Sequence, residues 1–143
     1  MAVPENVVKT SDFDFFSQEE AEVFDNTVGI RRRHIAPDNM CASDMCQAAA
    51  EKLLEELGWE RDSIDVLLFE SVTGDYRTPP TSCILQDRLA LSENCFCMDI
   101  PMGCCGCMYA ITVAGNLLTT GNVKRALLLI GDTALRMGLS LIH

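Results

Sequence analysis

The stretch Met98-Asp99-Ile100-Pro101-Met102-Gly103-Cys104-Cys105-Gly106-Cys107-Met108-Tyr109-Ala110 decides the reading of this chain. The apolar run 95–100 ends at Pro101, small residues follow, and 107–118 reads as a buried helix, so Cys104 and Cys105 fall at a strand-to-helix turn. Unpaired N–H groups and the positive end of a helix dipole lower a thiol's pKa and raise its thiolate fraction. Gly103 and Gly106 allow close backbone approach at that turn. The same kind of turn presents the nucleophile of serine hydrolases. Either Cys104 or Cys105 is therefore a candidate nucleophile. The alternative is a pair of small buried hydrophobes, since free cysteine is among the most buried residue types.

Working outward, the length of 143 residues fits one domain. Hydrophobic residues at 48% and charged residues at 22% describe a soluble globular chain. The net charge of −10 argues against broad nucleic-acid binding, which needs a basic face. No apolar run approaches the length of a membrane span, and Met1-Ala2-Val3-Pro4-Glu5 has neither basic leader nor apolar core, so no membrane segment and no signal peptide are expected. The eight cysteines then read as reduced thiols of a cytoplasmic protein. Cys95, Cys97, Cys104, Cys105 and Cys107 cluster, but zinc prefers paired knuckles in turn-rich segments, whereas Cys95 and Cys97 share one face of a strand. No metal site is expected.

The remaining segments alternate. Ser17 with Glu20 three residues on makes a helix start, and Phe13, Phe15 and Phe16 are expected to pack onto the body of the domain. The run Arg31-Arg32-Arg33-His34 reads as a solvated face or as a phosphate contact, because the planar guanidinium matches phosphate oxygens. His34 itself reads as a structural hydrogen-bonder. A helix is expected over 43–57, with Ser43 as cap and Gly58 as stop, and a second over 81–91. Strands are expected over 65–69 and 96–100, and 125–131 reads as a central parallel strand. The helix 108–118 is apolar on nearly every face and should be buried all round. This alternation implies a layered α/β fold.

Four blocks carry a resemblance. Val28-Gly29-Ile30-Arg31-Arg32-Arg33-His34-Ile35 is similar to a T-G-I-x-x-R-x-I segment. Pro79-Pro80-Thr81-Ser82-Cys83-Ile84-Leu85-Gln86 is similar to P-x-x-x-C-x-x-Q. Asp99-Ile100-Pro101-Met102-Gly103-Cys104-Cys105-Gly106 is similar to D-x-x-x-x-C-x-G, and 121–132 to a helix end with its following strand. In this order the blocks resemble the N-terminal half of a β-ketoacyl-acyl-carrier-protein synthase III, a thiolase-fold condensing enzyme. Val3-Pro4-Glu5-Asn6-Val7-Val8 also looks like the segment after that family's first strand.

The resemblance implies a thiolase-like layered α/β/α half-fold with a mostly parallel sheet, truncated at both ends. Residues 1–143 would form an incomplete N-terminal domain lacking the first strand and the C-terminal half. It implies Cys104 as the acyl-accepting nucleophile, loaded from an acyl-coenzyme A or acyl-carrier-protein thioester, with no cofactor. Decarboxylation of malonyl carrier protein then gives a carbanion that attacks the acyl-enzyme, one hard step becoming two easier ones. The family's catalytic His and Asn belong to the second half. Arg31 and Arg33 are the candidate substrate-binding arginines, and Thr78 aligns where a bulky residue often reaches the partner's acyl pocket. The family pairs the strand before the nucleophile with its twin, so a homodimer is implied through 95–100. A tryptophan and an arginine that many members place for coenzyme A are absent, with Val23 and Thr27 near those positions, which counts against coenzyme A as primer and leaves a carrier-protein thioester open. The tail 137–143 departs from the pattern, as in a truncated or frameshifted reading frame. Another thiolase-fold acyltransferase, similar to hydroxymethylglutaryl-coenzyme A synthase, and a non-catalytic dimerisation fragment are the alternatives.

Overall fold

A computed structural model describes residues 1–135 of the chain. The tail 137–143, with His143, lies outside the described residues. The architecture is built on one wholly buried strand, β3 (Val66–Glu70). It pairs in parallel with β4 (Phe96–Ile100) on one side and with β5 (Ala126–Ile130) on the other. The run 125–131 is thus an edge among the described strands, not the centre. Both runs are apolar enough for either place, and pairing decides which one is flanked.

Alternation along β3 builds two cores. Leu67 and Phe69 pack with Ala42, Cys46, Ala50 and Leu54 of α2 (Ala42–Leu57) and with Leu85 of α3 (Thr81–Arg88). Val66 and Leu68 pack with Ile100 and with Ala110 and Ala114 of α4 (Gly106–Thr119). Helices therefore cover both faces of the sheet. Each fully buried Leu or Phe in these layers contributes about 1.5–3 kcal/mol relative to exposure. Cys95 and Cys97 both join the α2–α3 side, as their shared strand face requires.

Helix ends follow local chemistry, with two departures from the sequence reading. At α1 (Gln18–Val28), Glu20 N–H donates to Ser17 Oγ at 3.2 Å, and Ser17 N–H donates to Glu20 Oε2 at 2.9 Å. At α2 the cap is Cys41, whose N–H donates to Asp44 Oδ2 at 2.7 Å, and not Ser43. Ser43 lies inside the helix, buried, donating to the Asp75 carboxylate and accepting from Arg88 at 2.9 Å. Gly58 takes the left-handed conformation, φ 60°, that stops α2. α3 ends at Arg88 and does not run on to residue 91, because Ala90 turns to φ 50°.

Helix α4 is not buried all round. Only Gly106, Ala110 and Ala114 are buried, while Met108, Tyr109, Ile111 and Leu118 are exposed. Its apolar surface exceeds what one sheet face can cover.

A small antiparallel pair, β1 (Val7–Lys9) with β2 (Arg32–His34), completes the described residues. Phe13, Phe15, Phe16 and Phe24 of α1 stack on one another at centroid separations of 4.8–5.3 Å, forming a cluster of their own apart from the sheet cores.

Candidate active site

The three parallel strands end level, with Glu70 opposite both Ile100 and Ile130. In open α/β sheets such an end is where ligands bind. β4 runs into Pro101, and Met102 N–H donates back to Ile100 O at 3.1 Å. Gly103 then takes φ 63°, a conformation that suits glycine. The residues Gly103–Cys105 form one tight 3-10 turn that leads directly into α4. Cys104 and Cys105 are both exposed on it, and the Cys105 thiol donates to Met102 O at 3.3 Å. No side chain caps the first N–H groups of α4.

Two carboxylates brace the loops around the turn. Asp132 Oδ1 accepts from Ser71 Oγ at 2.9 Å, Val72 N–H at 2.9 Å, Thr73 N–H at 3.2 Å and Thr73 Oγ1 at 3.1 Å. This holds the segment after β3, where Val72 Cγ1 lies 3.5 Å from the place a Cβ on Gly103 would occupy. Asp99, on β4, accepts from Thr81 N–H at 2.7 Å and Ser82 N–H at 2.8 Å, and so caps α3 from another element. An open cavity beside the turn is lined in part by Val72, Asp75, Arg77, Pro80, Met98 and Pro101.

The structure separates the thiols. Burial, then the charges of Asp132 and Asp75, pushes Cys46 up to about 11. Burial, then the neighbouring Cys95, pushes Cys97 up to about 12, and burial also raises Cys95. Cys83 is exposed on α3, so the helix does not shield it as Cys46 is shielded.

The expected substrate residues are dispersed. Thr78 is exposed on the loop between Arg77 and Pro80, which both line the cavity, but is not itself part of the lining. Arg31 is exposed just before β2. Arg33 is half-buried and engaged within the chain: its guanidinium donates to Thr10 Oγ1 at 2.9 Å and lies 5.3 Å from the Phe24 ring centroid. His34 Nδ1 is 2.6 Å from Pro4 O, in keeping with a structural role. Among the described residues, no group of three or more His, Cys, Asp or Glu could hold a metal ion. The sequence reading missed Glu70, a carboxyl buried behind the turn; a charge closing the apolar run Val66–Glu70 was its only local signal.

No protein-family model matches the chain. It is 33% identical over 94% of its length to the β-ketoacyl-[acyl-carrier-protein] synthase III of Xanthomonas oryzae, and 35% identical over 91% to that of Geobacillus kaustophilus. The fold aligns with the 3-oxoacyl-(acyl-carrier protein) synthase of Burkholderia xenovorans at a TM-score of 0.84 and 40% identity, over 89% of this chain and 37% of that one. The chain is a partial relative of the β-ketoacyl-acyl-carrier-protein synthases III. It spans about two fifths of their length, 41% and 42% of the two curated relatives. Its fold is the corresponding part of the thiolase-like synthase III fold, with a parallel sheet between helices.

Proposed function

We propose that Cys104 accepts an acyl group from an acyl thioester in fatty-acid or polyketide-type synthesis. The carrying observation is the placement of Cys104: exposed, in a tight turn between the end of β4 and the uncapped first turn of α4. The thiolate attacks the thioester carbonyl, the oxyanion draws on N–H groups of the turn, and the donor leaves as its thiolate. In the longer synthases a His and an Asn would then support decarboxylative condensation with malonyl carrier protein. The donor is an acyl carrier protein or acyl-coenzyme A. A cytoplasmic setting, where thiols stay reduced, suits this chemistry.

The family parallel extends to a homodimer and to chain length. β4 is an edge strand among the described residues, and such a backbone edge suits pairing with a twin. Thr78, between two residues that line the cavity, would admit a longer acyl chain than a bulky residue there. Arg31, exposed before β2, is the arginine left to contact a phosphate of the donor, since Arg33 is engaged with Thr10 and Phe24.

Incubation with an acyl-coenzyme A and with an acyl carrier protein, followed by intact mass and fragment-ion mapping, tests the reading. The expected result is one acyl adduct on Cys104, lost in Cys104→Ser and kept in Cys105→Ser. No adduct, or one that persists in Cys104→Ser, would overturn it and leave the dimerisation fragment as the better account.

A further inference from the structure

Glu70 closes the central strand with 2% of its surface exposed, and its Oε1 has no hydrogen-bond partner. The carboxyl fills the space where a side chain on Gly106, the first residue of α4, would stand. It thus abuts the N-terminal end of the helix whose preceding turn carries Cys104, two residues earlier. In register, β4 and β5 offer it only Ile100 and Ile130. The acidic group that acts on it is Asp132, just past β5. Other titratable groups on the surrounding elements include Asp99 on β4, Cys107 and Tyr109 on α4 and Cys46 on α2, while the basic residues of the packed helices, Lys52 on α2 and Arg88 on α3, are paired with Glu56 and Asp44. Burial first, and Asp132 second, raise its pKa above the ordinary carboxyl range.

We propose that Glu70 is a positioning residue that governs Cys104 by charge: once ionised, it competes with the Cys104 thiolate for the positive end of α4 and makes that thiolate costlier to form. Two negative charges at one helix end oppose each other. At low pH the neutral carboxyl leaves the helix end to the thiolate. As pH rises through the titration of Glu70, its proton goes to solvent and the charge left behind opposes the Cys104 thiolate. The inference rests on Cys104 being the acyl-accepting thiol; its test does not need a thioester.

The test is the rate of iodoacetamide alkylation of Cys104 between about pH 5 and 9, resolved from Cys105 and Cys83 by fragment-ion mapping. The thiolate displaces iodide, so an uncoupled thiol gains about tenfold in rate per pH unit below its pKa. The expected wild-type profile has a shallow step where Glu70 ionises. Glu70→Gln should lack the step, match wild type at the acid end, and exceed it by about threefold or more above the step. Glu70→Ala removes the same charge and should behave alike, and the wild-type step can be read even if both variants fail to fold. A wild-type profile without a step would overturn the proposal, as would a step that survives in Glu70→Gln. A wild-type profile without the step while an acyl adduct still forms refutes this inference alone; a Glu70-dependent step with no adduct refutes the acyl-transfer reading alone.

Discussion

At the scale of single residues, the close fit of Glu70 and Gly106 is the tightest constraint next to Cys104. A methyl at position 106 would overlap the Glu70 carboxyl. Gly106→Ala should therefore destabilise the chain by about 1–3 kcal/mol, read as a lower urea midpoint. Adding Glu70→Ala should recover part of that loss, because contacting residues couple. The sign of the pH effect follows from the raised pKa. Native Glu70 holds its proton more tightly than the unfolded chain does, so stability falls as pH rises from the ordinary carboxyl range through the native value, and no further beyond it. Glu70→Gln should flatten that limb in urea midpoints measured from acid to neutral pH. Gly106 was visible in sequence as a small residue by the cysteines, but not what its missing side chain leaves room for. That depends on a strand placed behind it by the fold.

At the scale of elements, caps show where local reading stops. The α1 cap was legible because Ser17 and Glu20 are neighbours that satisfy each other. The start of α3 was legible only in position, since Asp99 on β4 supplies the acceptor for both Thr81 and Ser82 N–H. Asp99→Ala should leave those two donors unpaired and cost about 0.5–2 kcal/mol, measured by chemical denaturation with the α3 amides followed by hydrogen exchange. Ser43 misled for the same reason. It carries a capping side chain, yet its hydroxyl is drawn to Asp75 and Arg88, and Asp44 serves the cap instead. The order of strands was likewise hidden, because β3 and β5 are equally apolar as words and differ only in having neighbours on two sides or one.

At the scale of the whole molecule, the layered α/β class was legible from alternation, and the turn from its glycines and cysteines. The exposed side of α4 was not, because its composition promised burial that the described residues do not provide. Met108 at 65% and Ile111 at 50% exposure make an apolar face that favours association. Light scattering at micromolar concentration should give a mass above that of a monomer, and Tyr109→Glu with Ile111→Glu should lower it. The pairing order of the sheet has one more effect, on the timing of synthesis. Among the described residues β3 has partners only in β4 and β5, both translated after it. At ribosomal speeds, roughly 3–12 s separate the emergence of its last residue from that of the last residue of β5. Through that interval the strand that ends up wholly buried is a nascent segment without hydrogen-bonded neighbours, a natural client for chaperones that hold extended hydrophobic chain. Slowing translation between codons 70 and 130 should lengthen that dependence.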